Sequence, residues 1–272
     1  MIDGVFVINL EQRRDRWEQF QQNVQGIIPP EKLQRLPARW GRDIPGFGQR
    51  PWFRGGKRDG TWAARAGCTE SHRQAMLRAQ AARWRTFLII EDDAEFAPEF
   101  SSILPGLADA LRNCEWQICY FGFTEPWTPA RKLASISDRH NLFEVQGCTT
   151  THGYLVRAEA RDWIARHLPE ENQMWLWIAR HRVIDRWYQR QLGLHFPVLC
   201  VSPAIINQAA GYSDIVERES PNTGEVTSRS AVTKVAASSA TYYLHRALRR
   251  VTIRCGVAGD CIRGWTRRIN GF

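Results

Sequence analysis

The sequence predicts an α/β fold, a single mostly parallel twisted sheet flanked by helices, and three observations carry that reading. Short apolar runs of strand length, among them Val5 to Ile8 and Phe87 to Ile90, alternate with longer segments of helical periodicity. These runs are continuous in their apolarity, as strands buried on both faces are. One of them, Thr86-Phe87-Leu88-Ile89-Ile90, stops abruptly at Glu91-Asp92-Asp93, and sheets of this class bind ligands at the carboxyl ends of their strands.

Composition narrows the class. A chain of 272 residues with 43% hydrophobic side chains and 12 Trp can bury a large core, which excludes a disordered chain. The formal charge of +9 points to polyanionic company: nucleotide phosphates, nucleic acid or an anionic membrane surface. Its 7 cysteines are scattered and contain no Cys-x-x-Cys pair, the usage of a reducing compartment and not of a disulfide framework or a zinc site. No secretory pattern opens the sequence, and no run reaches membrane-spanning length. A cytoplasmic protein is expected.

In chain order, the strand Val5 to Ile8 leads through Asn9 into a helix whose Trp17, Phe20 and Val24 share a face. Arg13 falls on that face one turn inside the helix, where a guanidinium either meets an anion or packs its stem and reaches solvent. From Arg39 to Gly60 the chain turns to Gly, Pro, Arg and aromatics, a loop that reads either as a lid with Arg50, Arg54, Lys57 and Arg58 over an anionic substrate or as a mobile surface segment. A helix from about Gly67 to Trp84 turns Cys68, His72, Ala75, Met76 and Ala79 inward, and a lone inward His is by default a hydrogen-bonded core residue. The acid-ended strand follows, then strands at Gln117 to Phe123, Phe143 to Thr150 and Gly153 to Val156, and an amphipathic helix from Ala158 to Leu168. Asp185 sits in the first turn of a short helix, and Phe196 to Val201 is a further strand.

Residues 1–216 thus form the main domain, 217–240 a polar linker, and 241–272 a basic amphipathic segment. In that last segment Leu244, Ala247, Leu248, Val251 and Cys255 make an apolar stripe, and seven arginines face Asp260 as the lone acid. Such a helix either lies on an anionic leaflet, which would make the protein peripheral to the inner membrane, or docks on the domain with its basic face in solvent.

Adjacent carboxylates repel one another, so Glu91, Asp92 and Asp93 ask for a cation. Oxygen ligands at a strand end suit Mn²⁺ or Mg²⁺ together with substrate phosphates. A solvated acidic turn is the alternative.

Several pieces together resemble glycosyltransferase family 25, the lipooligosaccharide and procollagen galactosyltransferase group. They are Val7-Ile8-Asn9-Leu10 with Arg13, Asp15 and Arg16; Gly67-Cys68 with Ser71-His72; Leu88 to Asp93; Gly153 to Val156; Ile184-Asp185; and Gln208 with Ser213-Asp214-Ile215. The resemblance covers about Val5 to Ile215. It implies an A-type glycosyltransferase fold that moves a sugar, galactose above others, with inversion from a UDP-sugar to a hydroxyl of a lipopolysaccharide-type glycan or glycolipid. It further implies Asp93 and Asp214 as metal ligands. Asn9, Arg13, Arg16, Ser71, His72, Glu91 and Asp92 would meet the nucleotide sugar, with His152 also lining the sugar pocket. Asp185 would be the general base, an alternative to its plainer role as a carboxylate on a helix N-terminus. Family members carry a small residue where this chain has Arg157, which implies a different and more acidic acceptor.

Two other readings use the same features. A non-catalytic basic protein that binds nucleotide or nucleic acid on this scaffold would explain the charge, although no nucleic-acid motif occurs and the three acids would repel a phosphate backbone. A metal-dependent phosphohydrolase would also use clustered acids, but generally gathers more acid and His ligands around two ions.

Overall fold

Strand β1 (Gly4–Asn9) is buried along its whole length and pairs in parallel with β2 (Leu33–Pro37) on one side and β3 (Thr86–Glu91) on the other. Helices α1 (Arg14–Asn23) and α2 (Asp59–Ala81) make the crossovers, as parallel neighbours require. The computed structural model describes residues 2–56, 58–126, 129–213, 218–220, 232 and 237–272. After β3 the chain turns at Asp92-Asp93 into β4 (Ala94–Phe96), α3 (Phe100–Arg112), β5 (Ile118–Gly122), β6 (Arg131–Ser135), β7 (Asn141–Val145) and β8 (Gly153–Arg157). Then come α4 (Ala158–His167), α5 (Met174–His181), α6 (Ile184–His195), β9 (Val198–Ser202), β10 (Ile206–Gln208), β11 (Gly211–Ser213) and β12 (Arg218–Ser220). A long helix, α7 (Ser239–Asn270), closes the series.

The central sheet has eight strands in the order β2-β1-β3-β8-β5-β9-β7-β6. Its pairings make six strands point one way, with β8 and β7 opposed. It is therefore mostly parallel by strand direction, yet β8 enters antiparallel between β3 and β5, which apolar periodicity could not foretell. Pleating sends alternate residues to opposite faces. Phe6, Ile8, Phe87, Ile89, Tyr120 and Tyr154 meet α2, α4, α5 and α6 on one face. On the other, Val5, Val7, Leu88, Ile90 and Phe121 meet Phe20 of α1 and Ile103 and Leu107 of α3.

Three expectations change. The helix expected from Gly67 starts at Asp59; Gly60 lies in its first turn, and the Gly-rich run before it disguised the start. The loop before it, read as a lid or a mobile surface segment, packs in part on the body: Phe53 is fully buried, Phe47 and Phe53 pack edge-on, and Trp175 Nε1 donates to the Pro45 carbonyl at 2.7 Å. Lys57, expected in that loop, lies outside the described residues. Arg157 is paired with Thr86 at the end of β3 remote from the acids, roughly 17 Å along the strand from Glu91. Its guanidinium lies over Trp116, 4.2 Å from the ring centre. It lies at the rim of the sheet opposite the acids.

Of the expected linker, Val232 is buried in the main apolar cluster and the Ala237 amide donates to the Ala130 carbonyl at 2.8 Å. Residues 217, 221–231 and 233–236 lie outside the described residues. Among the described residues, no helix is long and apolar enough to cross a membrane.

One close approach shapes the site. A Cβ on Gly67 would overlap the Arg39 carbonyl oxygen, and one on Gly41 the Ala63 carbonyl, so two glycines let α2 press backbone-close on the segment that leaves β2. Gly67→Val should lower thermal stability by about 2 kcal/mol or more, read as a fall in the denaturation midpoint, whereas Gly259→Ala, where a Cβ on α7 meets open space, should cost nothing.

Candidate functional site

The carboxyl ends of β1 and β3 lie side by side, with Ile8 opposite Glu91. Asn9 and the three acids are therefore brought together. Asn9 is 1% exposed; its amide nitrogen donates to Asp92 Oδ2 at 2.5 Å and to the Arg13 carbonyl at 3.1 Å, while its oxygen accepts from Arg35 Nε at 2.9 Å. Asn9 thus couples a cation on β2 to a carboxylate in the turn just past β3. Arg16, in the first turn of α1, donates to Asp92 Oδ1 at 3.2 Å and reaches 4.0 Å from Asp93 Oδ2.

Glu91 is held from below. The Thr151 hydroxyl donates to its Oε1 at 3.1 Å, and His72 Nε2 approaches the same oxygen at 3.7 Å. Because β8 runs antiparallel to β3, the Thr151-His152 turn that opens it falls beside Glu91, and the Glu91 amide donates to the His152 carbonyl at 3.2 Å. Gln208, at the end of β10, donates to Glu91 Oε2 at 3.4 Å and to Asp93 Oδ1 at 3.5 Å.

These carboxylates differ in charge state. Burial opposes ionisation of Glu91, but the hydrogen bond and charge of His72, with His152 and Thr151, hold its carboxyl below the usual range. Burial pushes Asp92 up, against the pull of Asn9 and Arg16. Asp93 is pushed up to about 7, by burial first and then by the charges of Glu91 and Asp92. Burial likewise lowers His152 to about 4, so it is neutral at ordinary pH, and it donates to the Ile206 carbonyl from Nε2 at 3.3 Å. A Cβ on Gly122 would meet the His152 ring; the glycine makes room for it.

The acids open on a cavity of about 130 Å³ lined by Ile8, Arg16, Trp40, Cys68, Ser71, His72, Glu91, Asp92, Asp93 and Gln208, with the Ala38 to Gly41 segment as one wall. Ser71 fastens that wall: the Arg39 amide donates to its hydroxyl at 2.9 Å, and the hydroxyl donates to the Gly67 carbonyl at 2.7 Å. His72 Nδ1 meets the Tyr154 hydroxyl at 2.8 Å, and that hydroxyl is 3.4 Å from the Tyr188 hydroxyl on α6.

Seven of the expected residues are thus gathered on one cavity or its support: Asn9, Arg16, Ser71, His72, Glu91, Asp92 and Asp93. Arg13 is placed otherwise. It precedes α1 instead of lying one turn inside it, and its guanidinium pairs with Asp15 at 2.9 Å on the exposed side. Asp185 stands in the first turn of α6, where its oxygens accept from the Thr150 amide at 3.2 Å and the Arg186 amide at 2.6 Å. It does not line the cavity. Cys68 lies between the two places: its thiol is pushed up by burial and then by the charges of both Glu91 and Asp185. Asp214 lies outside the described residues. Sequence reasoning missed Arg35 and Thr151; nothing in a linear pattern marks a residue that acts through its register against a neighbouring strand.

The donors fit a divalent ion. Asp93 offers a carboxylate oxygen whose ionisation is held back by burial and then by the charges of Glu91 and Asp92, and the Gln208 amide reaches both Asp93 and Glu91. A second grouping, Cys68, His72 and Glu91, brings its ligating atoms within 4.8 Å of one another. Its thiol is kept protonated by burial, which disfavours it as a ligand.

No family model matches the sequence, and no curated protein matches it. Two solved structures are similar at 10% identity. "A197 from STIV" aligns over 80% of this chain and 93% of its own with a TM-score of 0.41. The mannose-1-phosphate geranyltransferase from Thermus thermophilus aligns over 74% of each chain with a TM-score of 0.37.

The raised Asp93 sets a pH dependence. A carboxyl lifted from its unfolded value of 3.8 to about 7 adds stability below the lower value that is lost as pH rises through the upper one. Asp93→Asn should therefore raise the melting temperature of the metal-free protein at about pH 8 and leave it nearly unchanged at about pH 4, as measured by calorimetry.

Proposed function

We propose that the chain is an inverting, metal-dependent glycosyltransferase with an A-type fold, of the kind found in glycosyltransferase family 25. It would move a hexose, galactose by resemblance, from a UDP-sugar to a hydroxyl of a lipopolysaccharide-type glycan. One observation supports this above the rest: half-buried Glu91, Asp92 and Asp93 stand at the carboxyl end of β3, in a cavity that also holds Arg16.

The roles divide by environment. Asp93, with Glu91 and Gln208 beside it, would hold Mn²⁺ or Mg²⁺; such an ion, when bound, neutralises charge that grows on a departing diphosphate. Asp92 is fixed in direction by Asn9 and Arg16, which suits a carboxylate that accepts from ribose hydroxyls. Arg16 contributes a fixed positive charge to the diphosphate. Ser71 shapes the wall and His72 the floor, where a sugar would lie. Arg13, paired with Asp15, would act through the start of α1 or turn to the nucleotide.

Inversion needs one displacement and one base. Asp185 would take the proton of the attacking hydroxyl on a carboxylate oxygen, its direction set by the two amides that already donate to it. Arg65, Arg182 and Arg186 gather near it. Arg65 is pushed down by burial and then by the charges of Arg182 and Arg186, with Asp185 pulling the other way. A positive field of that kind suits an acceptor bearing phosphate or carboxylate.

A thermal-shift series separates donor binding from transfer. UDP should raise the melting temperature only with Mn²⁺ present, and Asp93→Ala should abolish that shift. Asp185→Asn should keep the shift and lower transfer from a UDP-hexose panel by about a thousandfold. If no nucleotide sugar in the panel is cleaved, with or without acceptor, the transferase reading fails; release of inorganic phosphate without sugar transfer would point to a phosphohydrolase.

A further inference from the structure

Helix α7 is docked the wrong way round for an ordinary surface helix. Four of its arginines, Arg246, Arg249, Arg263 and Arg267, face the protein. Arg249 is 6% exposed and donates to the Gln146 carbonyl at 2.8 Å. Arg263 and Arg267 donate to the Arg180 and Ala179 carbonyls at 2.7 and 2.8 Å, which lie in the last turn of α5 and have no partner within that helix. Asp260, the one acid of α7, is buried against Arg190 and Arg263, 3.2 and 2.7 Å away.

The apolar residues face out. Of the nine large hydrophobic side chains exposed among the described residues, eight are on α7. At 100 degrees per residue, Leu244, Leu248, Val251, Ile262, Trp265 and Ile269 fall within an arc of about 100 degrees, and Arg249 and Arg267 lie about 140 degrees from Leu244. The stripe is about 38 Å long. It holds Leu248 at 55%, Ile262 at 65% and Trp265 at 67% exposure.

We propose that this outward stripe rests on the surface of an anionic lipid bilayer and seats the protein there. Charge selects the occupant. Arg250, Arg268 and His245 are exposed beside the stripe, and no carboxylate is exposed on the helix to oppose them. A second copy of the same face would bring like charges together, whereas acidic headgroups complement them while the apolar stripe enters the acyl boundary. The two faces then have separate tasks: arginines bind carbonyls of the body, and the stripe binds lipid. This inference is independent of the transferase reading, since it uses no residue of the cavity.

The test is flotation of the full chain with vesicles of phosphatidylcholine alone or mixed equally with phosphatidylglycerol. The protein should float with the mixed vesicles, less with the neutral ones, and less in high salt. Leu248→Gln combined with Ile262→Gln should weaken retention on the order of a hundredfold at an unchanged melting temperature, because both side chains are exposed. Brominated lipid should quench the emission of the parent protein more than that of Trp265→Phe. Failure of the parent to float, or equal flotation of the double variant, overturns the proposal. So does a concentration-dependent dimer that the double variant abolishes while neither protein floats; that result would assign the stripe to a second copy.

Discussion

Three carboxylates on consecutive residues at the end of a buried strand repel one another, and the surrounding structure is arranged to hold them. Each is restrained from a different direction: Asp92 by Asn9 and Arg16, Glu91 by Thr151 and His72, Asp93 by Gln208. Those partners come from β1, α1, the turn into β8, α2 and β10, so the site draws on most of one end of the sheet. The supply of positive charge is nonetheless short at Asp93. A protein that keeps an acid in this condition either tolerates a protonated carboxyl or receives a cation with its ligand, and the second reading joins the site to a phosphate-bearing substrate.

The antiparallel entry of β8 makes this arrangement available. Were β8 parallel to β3, the opening of the strand would lie at the Thr86 end, and Thr151 and His152 would be carried away from Glu91. Reversed, it delivers both to the acids, while Arg157 goes to the opposite rim beside Trp116. Gly122 on the next strand admits the His152 ring. Sheet direction and one missing side chain therefore place His152 behind Glu91, while His72 of α2 lines the cavity.

Much of this was legible from the chain. The run from Phe87 to Ile90 declared a buried strand because all four residues are apolar, and the acids after it could not share that burial. Asn9 followed from its place after a strand, and Arg16 from the family resemblance. Arg13 did not, because it precedes the helix with a non-helical backbone, so its side chain leaves the face that Trp17 and Phe20 share. Strand direction is invisible to hydropathy, so the strand from Gly153 to Val156 was expected but its antiparallel entry, which sets Thr151 beside Glu91, was not. In α7 the two-faced pattern was plain, but periodicity does not say which face the protein keeps. The orphan carbonyls of α5 reward arginine more than leucine, and only their position in space reveals it.

Among the contacts around the cavity, the line from His72 through Tyr154 to Tyr188 crosses three elements, α2, β8 and α6. Each ring is fully or almost fully enclosed, so none can swing aside to absorb a displacement. The alignment of α6, and with it the heading of Asp185, is consequently inherited from the same floor that supports Glu91. The acid-lined cavity and the Asp185 carboxylate outside it share one gauge, and a tolerance lost at either would be lost at both.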